Sequence, residues 1–268
     1  MECNNLLCKT KYPILLVHGV GSRDNKRLNY WGRIPKALQN AGAEVFYSNQ
    51  DAWGTIEKNA EAVKERALTI LSSTGSKKIN IIALSKGGLE MRYMIHKLDM
   101  GEKVASLTTI ATPHYGSKTM DFLCPMMEPF KFAANFIDFI YRLQGDKYPD
   151  FYNTCQQFTT EYSKRFNYEV LNSDKVYYQS YAASMRKSYS DMLFFVQHSV
   201  VKTMDGQCDG IVSVDSAKWG EFRGVITGKG IRGVSHSDLR DLRKFGPSGK
   251  TIISTYIDIV NGLKQKGF

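Results

Sequence analysis

Residues 79–89 read I-N-I-I-A-L-S-K-G-G-L, an apolar run, then Ser85 among small residues, then the onset of helical spacing. Ile79, Ile81, Ile82 and Ala83 have the continuous apolar character of a buried parallel strand. Leu89, Tyr93 and His96 recur at helical spacing, with Arg92 and Lys97 free to face water. Ser85 therefore falls on a strand-to-helix turn in the pattern A-x-S-x-G. Such a turn strains the backbone at the serine, so its neighbours must be small. Ala83 and Gly87 meet that need, and Gly88 lets the helix lie close to the strand. The hydroxyl is left exposed, with helix N–H groups aimed at whatever it attacks. A passive serine in a glycine-rich turn is the alternative.

A serine nucleophile requires a base to take its proton and a carboxylate to orient that base. Of five histidines, His236 lies in G-V-S-H-S-D-L, a polar loop ahead of the last helix, where an exposed base belongs. His114 follows a strand end and is a rival. His18 belongs to a glycine-rich turn that it shapes. His96 sits three helical turns past Ser85 and points away, and His198 has an apolar neighbourhood. Asp209, in C-D-G-I-V, is the favoured acid, with Asp205 and Asp215 as alternatives. The order Ser85, Asp209, His236 is one in which such groups occur together in a strand–helix sheet protein. An oxyanion formed on attack needs two preorganised N–H donors. The N–H of Lys86, at the helix start, supplies one, and the N–H of Val20, in H-G-V-G, is placed to supply the other. Both are main-chain groups, so the two side chains are replaceable in that role.

The elements that must position these residues alternate along the chain. Tyr12 to Val17 is an apolar strand, Trp31 to Ala41 a helix stopped at Gly42, Ala43 to Tyr47 a strand, Ile56 to Leu71 an amphipathic helix, and Val104 to Ala111 a strand closed by Thr112-Pro113. This rhythm predicts an α/β fold with a mostly parallel central sheet flanked by helices. Ligands bind beyond the carboxyl ends of such strands, where Gly19, Ser85 and Thr112 all fall. The rhythm then breaks. Met120 to Leu143 is apolar on most faces of one predicted helix, as expected of a helix that is buried, covers something apolar or meets lipid. An ordinary packing helix in a cap region is the plainer reading. Regular elements resume over Phe151 to Phe166, with a strand over Lys175 to Ala182 and a closing helix over Ile252 to Leu263. No repeat or low-complexity linker divides the chain, so residues 1–268 are expected to form a single domain, with a cap insertion at about 117–150.

A hydrophobic content of 43% with 12% aromatics supplies a substantial core. The net charge of +10 is spread over Lys77-Lys78, Arg240, Arg243-Lys244, Lys264 and Lys266, without a basic tract interleaved with aromatics, so no nucleic-acid partner is expected. No apolar run is long enough to span a bilayer. The N-terminal residues show no signal peptide, which leaves cytoplasmic or processed origin open. Cys3, Cys8, Cys124, Cys155 and Cys208 form no C-x-x-C pair and read as mostly free thiols, not zinc ligands.

The stretches P-I-L-L-V-H-G-V-G, Y-W-G-R-I-P-K-A-L, N-I-I-A-L-S-K-G-G-L-E-M-R-Y, L-T-T-I-A-T-P-H-Y-G-S, F-T-T-E-Y-S-K-R-F-N, C-D-G-I-V-S-V and S-H-S-D-L together resemble the bacterial true lipases of the α/β-hydrolase superfamily, in the same order and almost end to end. The resemblance implies hydrolysis of triacylglycerols and other carboxylesters at a lipid–water interface through an acyl-enzyme. Ser85 would be nucleophile, Asp209 acid and His236 base, and the segment after Thr112-Pro113 a mobile lid. It implies no cofactor for the chemistry and a structural calcium held by Asp238 and Asp191. It also implies secretion, which the N-terminus does not support. Leu84 replaces the usual histidine before the serine, which puts chain-length preference in doubt. The histidine-rich zinc subdomain of some relatives has no counterpart. A soluble esterase or phospholipase with the same groups, acyl transfer to an alcohol, and a non-catalytic relative are the competing readings; the last would lack a triad member, and none is missing.

Overall fold

The computed structural model describes residues 6–24, 29–228, 231–242 and 247–268, with side chains from 251 onward in the last stretch. Cys3, Arg243 and Lys244 lie outside the described residues. Six strands form one sheet: β1 (Ile14–Val17), β2 (Val45–Tyr47), β3 (Ile79–Leu84), β4 (Val104–Ile110), β5 (Tyr177–Ala183) and β6 (Glu221–Ile226). Their order is β2-β1-β3-β4-β5-β6, and every described pairing is parallel. All residues of β1, β3 and β4 are buried, which is why these segments are apolar without alternation.

Helices cover both faces. On one, Ile34 and Leu38 of α1 (Ile34–Asn40) join Tyr256, Ile259 and Val260 of α9 (Pro247–Gln265). On the other, Val63, Ala67 and Ile70 of α2 (Ile56–Thr74) meet Met91, Met94 and Ile95 of α3 (Lys86–Lys97). Between β1 and β3 the strand order reverses direction, and the carboxyl ends of these two strands lead into His18-Gly19-Val20 and Ser85. That switch is where a doubly wound sheet opens a crevice.

The single helix expected over Met120–Leu143 is two helices, α4 (Lys118–Met127) and α5 (Lys131–Leu143), separated by a 3-10 turn at Glu128–Phe130. Pro129 in that turn lacks an N–H and cannot continue the helical ladder. The pair does not bury its aromatic residues as a packing helix would. Phe122, Phe132 and Phe136 are 58%, 73% and 65% exposed. The segment expected at 151–166 is likewise two helices, α6 (Phe151–Gln156) and α7 (Thr160–Glu169), the second capped by the Thr159 hydroxyl. Two elements not anticipated are α8 (Phe195–Asp205) and the partly exposed strand β6.

Arg92, expected at the surface, is buried. Its guanidinium lies 3.5 Å from the Trp219 ring centre and donates to Asn167 Oδ1 (2.8 Å) and to the Val170 carbonyl (3.1 Å). Cys8, Cys124, Cys155 and Cys208 are free and buried. No described helix is long and apolar enough to cross a membrane.

Candidate active site

Ser85 stands between β3 and α3 with φ 56° and ψ −130°, a conformation that a side-chain-bearing residue adopts only when its surroundings impose it. Three contacts impose it. Its N–H donates to the Ile110 carbonyl (2.9 Å), and its own carbonyl accepts from the Gly88 N–H (3.1 Å) and the Thr112 hydroxyl (2.7 Å). Two glycines allow the crowding. A Cβ on Gly19 would stand 2.8 Å from Ser85 Cβ, and one on Gly87 would stand 2.7 Å from the His18 carbonyl. The small residues around the serine thus serve the approach of the β1 loop as well as the turn itself. Gly88 faces Thr109 and Thr112, at the end of β4.

Asp209 and His236 come together. The Nδ1–H of His236 donates to Asp209 Oδ2 at 2.7 Å, and the His236 N–H donates to the Asp209 carbonyl at 2.9 Å. Asp209 is fully buried, and its other oxygen accepts from the N–H groups of Ile211 (3.0 Å) and Val212 (2.9 Å). With Nδ1 engaged, Nε2 is left as the imidazole's other nitrogen. His236 and Ser85 line one cavity of about 510 Å³. Val20 borders it from the β1 loop, and Lys86 is the first residue of α3. Among the described residues, neither of their N–H groups has a main-chain partner.

The rival residues have other work. His114 is fully buried, with Nε2 3.0 Å from Thr109 Oγ1 and Nδ1 3.3 Å from Arg92. Burial, then the Arg92 charge, push it well below the usual imidazole range, so it stays neutral. His198 is buried against Ser188 Oγ (2.9 Å), and His18 spans the Gly19 and Gln50 carbonyls. Asp215 is an exposed partner of Lys218. Asp205 anchors the start of α4, accepting from the Lys118 N–H (3.0 Å), the Thr119 N–H (3.2 Å) and the Ser117 hydroxyl (2.9 Å).

The side chain of Lys86 is not indifferent, although its proposed part in chemistry is through its backbone. It is 1% exposed and paired with Glu90, which is also 1% exposed. Glu90 accepts further from Asn59 Nδ2 (2.7 Å) and Gln50 Nε2 (3.1 Å), and Gln50 Nε2 also donates to the His18 carbonyl (2.9 Å). A buried polar chain therefore ties the serine's helix to the Val20 loop. The i,i+4 spacing of Lys86 and Glu90 was visible in the sequence, but a lysine after the serine reads as a surface residue.

Asp191 and Asp238 converge on Ser235, next to His236. Asp191 Oδ2 accepts from the hydroxyls of Ser235 (2.6 Å) and Ser237 (2.5 Å), and its Oδ1 from the Leu193 N–H (3.1 Å). Asp238 Oδ2 accepts from the Ser235 N–H (3.0 Å). Calcium needs six to eight oxygens with lone pairs to offer, whereas Asp191 Oδ2 already meets two O–H protons. Among the described residues, no group of three or more His, Cys, Asp or Glu side chains could hold a metal. As arranged, the pair is engaged by hydroxyl and N–H donors. It clamps the two serines flanking His236 and, through Leu193, the turn that leads into α8. EDTA is accordingly expected to leave the midpoint of thermal unfolding unchanged, as read by calorimetry; a clear drop would restore the metal.

The rest of the cavity is mostly apolar. Met120 and Leu123 of α4, Phe194, Val200 of α8 and Ile211 line it. The Phe194 ring meets the His236 ring edge-on, at 6.4 Å between centres. From α5, the Tyr141 hydroxyl reaches the Gly21 carbonyl at 3.2 Å. At the far end of α5, Asp146 accepts from the N–H groups of Ala52 and Trp53, both at 3.0 Å. Asp205 and Asp146 thus fasten the two ends of the α4–α5 segment, and its aromatic face is left open between them.

The chain is similar to known proteins over most of its length. The family model described as palmitoyl protein thioesterase matches residues 13–213. Triacylglycerol lipase 2 of Saccharomyces cerevisiae is 31% identical over 271 residues, covering 91% of this chain and 78% of that protein. A triacylglycerol lipase of Pseudarthrobacter phenanthrenivorans is 36% identical over 119 residues, 42% of this chain and 37% of that protein. Among solved structures, Staphylococcus hyicus lipase superposes with a TM-score of 0.72 at 16% identity, covering 99% of this chain and 98% of that one, a likeness of fold.

Proposed function

The chain belongs to the palmitoyl protein thioesterase family and to the lipases of the α/β-hydrolase superfamily; it is a carboxylester hydrolase, and we propose that it cleaves acylglycerols through Ser85, His236 and Asp209. His236 takes the Ser85 proton as the hydroxyl attacks the ester carbonyl. Asp209 holds the imidazole's orientation and stabilises the imidazolium. The N–H groups of Val20 and Lys86 receive the oxyanion. His236 then protonates the leaving alcohol, and water releases the acyl group by the same route. No metal is needed for any of these steps.

The observation that carries the acylglycerol reading is the apolar lining shared by the cavity and the α4–α5 segment. Leu123 and Met120 look into the cavity, while Phe132, Phe136 and Phe139 of α5 face water. An exposed apolar face of this extent on a monomer marks a surface meant to meet something apolar. In this reading α4 and α5 act as a lid, held at Asp205 and Asp146, whose aromatic face meets a lipid surface. An ester that arrives singly in water would need no such face. The test is a rate series on one triacylglycerol carried from below to above its solubility. The rate is expected to rise sharply once an emulsion forms, and replacing Phe132, Phe136 and Phe139 by serine is expected to flatten the rise. Simple saturation through the solubility limit would point to a soluble esterase.

A further inference from the structure

Arg240 is the only lysine or arginine among the described residues lining the catalytic cavity, whose other walls are mostly apolar. Its Nη1–H donates to Ser22 Oγ at 2.7 Å, and its guanidinium carbon lies 5.0 Å from the Tyr30 ring centre. No described carboxylate pairs with it. The adjacent Asp241 is buried and engaged by Arg33, whose Nη2 and Nε donate to its two oxygens at 2.6 and 2.8 Å. Tyr30 supplies no counter-charge either, because burial pushes its phenol up to about 12. A guanidinium has five N–H donors in a planar fork, of which Ser22 and the Tyr30 hydroxyl engage two. Arg240 is only partly buried, and its remaining donors border the cavity, where an anionic group on a ligand would meet them.

Two sets of lining residues differ in character. Leu123 and Met120 of α4 and Val200 of α8 make an apolar wall suited to an acyl chain, while Arg240, in contact with Ser22 and Tyr30, brings polar groups from the loop after β1. We propose that Arg240 binds an anionic group on the alcohol side of the ester, so that the acylglycerol site also takes glycerophospholipids, carboxylesters with a phosphate diester a few bonds from the scissile bond, and favours them among esters dissolved singly in water. The guanidinium fork matches two phosphate oxygens at once. This assignment rests on the ester-hydrolase reading of the same cavity. Only the carboxylester C–O bond breaks: water delivers its hydroxyl to the acyl carbon and its proton to the glycerol oxygen, and the phosphate diester leaves intact on the lysolipid.

The experiment compares kcat/KM on dihexanoylphosphatidylglycerol and on dihexanoylglycerol, both dissolved as monomers, for wild type, Arg240→Gln and Arg240→Lys. The ratio of the two values is unaffected by any loss of folded protein. In wild type it should favour the phospholipid, and in Arg240→Gln it should fall by about tenfold or more, through KM, as a charge-assisted hydrogen bond is lost. Arg240→Lys keeps the charge without the fork and should retain part of the ratio. A ratio unchanged in Arg240→Gln, or a wild type that prefers the neutral ester, overturns the assignment. A wild type that cleaves neither ester would overturn the ester-hydrolase reading instead.

Discussion

Ser85→Ala is expected to lower kcat on a dissolved ester by about ten-thousand-fold or more, with KM little changed and the fold intact. The size follows from what the hydroxyl would do: without it His236 has no proton to take and no acyl-enzyme forms, which leaves only the contribution of the oxyanion donors. The small effect on folding follows from the contacts that hold residue 85. The bonds to Ile110, Gly88 and Thr112 all involve its main chain, so alanine keeps each of them. Alanine also keeps the Cβ that faces Gly19. The check is a single-turnover assay beside a thermal melt of both proteins. Wild-type turnover in the alanine variant would remove Ser85 from the chemistry, and with it the roles given to Asp209 and His236.

Lys86→Met carries the second large effect, this time on stability. Methionine fills the lysine's volume but leaves the Glu90 carboxylate, 1% exposed, without its cation. Breaking a buried pair by removing one partner destabilises by about 3–5 kcal/mol. The Asn59 and Gln50 amides still donate to Glu90, which places the loss toward the lower end of that range. Adding Glu90→Gln to Lys86→Met should recover part of the loss, since a neutral amide no longer needs a counter-ion. Urea unfolding of the two single variants and the double variant measures the coupling directly. Strictly additive losses would mean that the pair does not act as a unit. Because Gln50 links Glu90 to the His18 carbonyl, the single variant should also lose kcat more than KM.

The parts of this fold that can be read from the chain are those whose cause is local. Strands β1, β3 and β4 are buried on both faces, so their burial is written as unbroken apolar runs. The turn at Ser85 needs small neighbours whatever surrounds it, so it too is written locally. The polar loops of Asp209 and His236, 27 residues apart, could be chosen by character and order. What could not be read depends on partners far along the chain. Arg92 is buried because Trp219 and Asn167 are brought to it. Asp205, a rival acid by position, is spent on a helix start some 86 residues earlier. Strand β6 carries Glu221, Arg223 and Gly224 because it lies at the edge of the sheet and half faces water, so its pattern is weak. Helix α8 was hidden for a related reason. Its apolar residues line a cavity and face solvent, and do not form one core-facing stripe.

The four buried cysteines have a consequence for how this protein ages. Burial pushes the thiols of Cys8, Cys124 and Cys208 up to about 11 and that of Cys155 up to about 12. Oxidants and alkylating agents react with the thiolate, which is therefore scarce in the closed molecule. Damage must wait for a local opening, and the four sulfurs sit in different parts of the fold. Cys124 and Cys155 lie in α4 and α6, under the aromatic segment; Cys208 adjoins the acid, and Cys8 meets the last helix. Oxidative wear is expected to begin beneath α4 and α5, many of whose apolar side chains are exposed to water, and to leave the sheet unmarked.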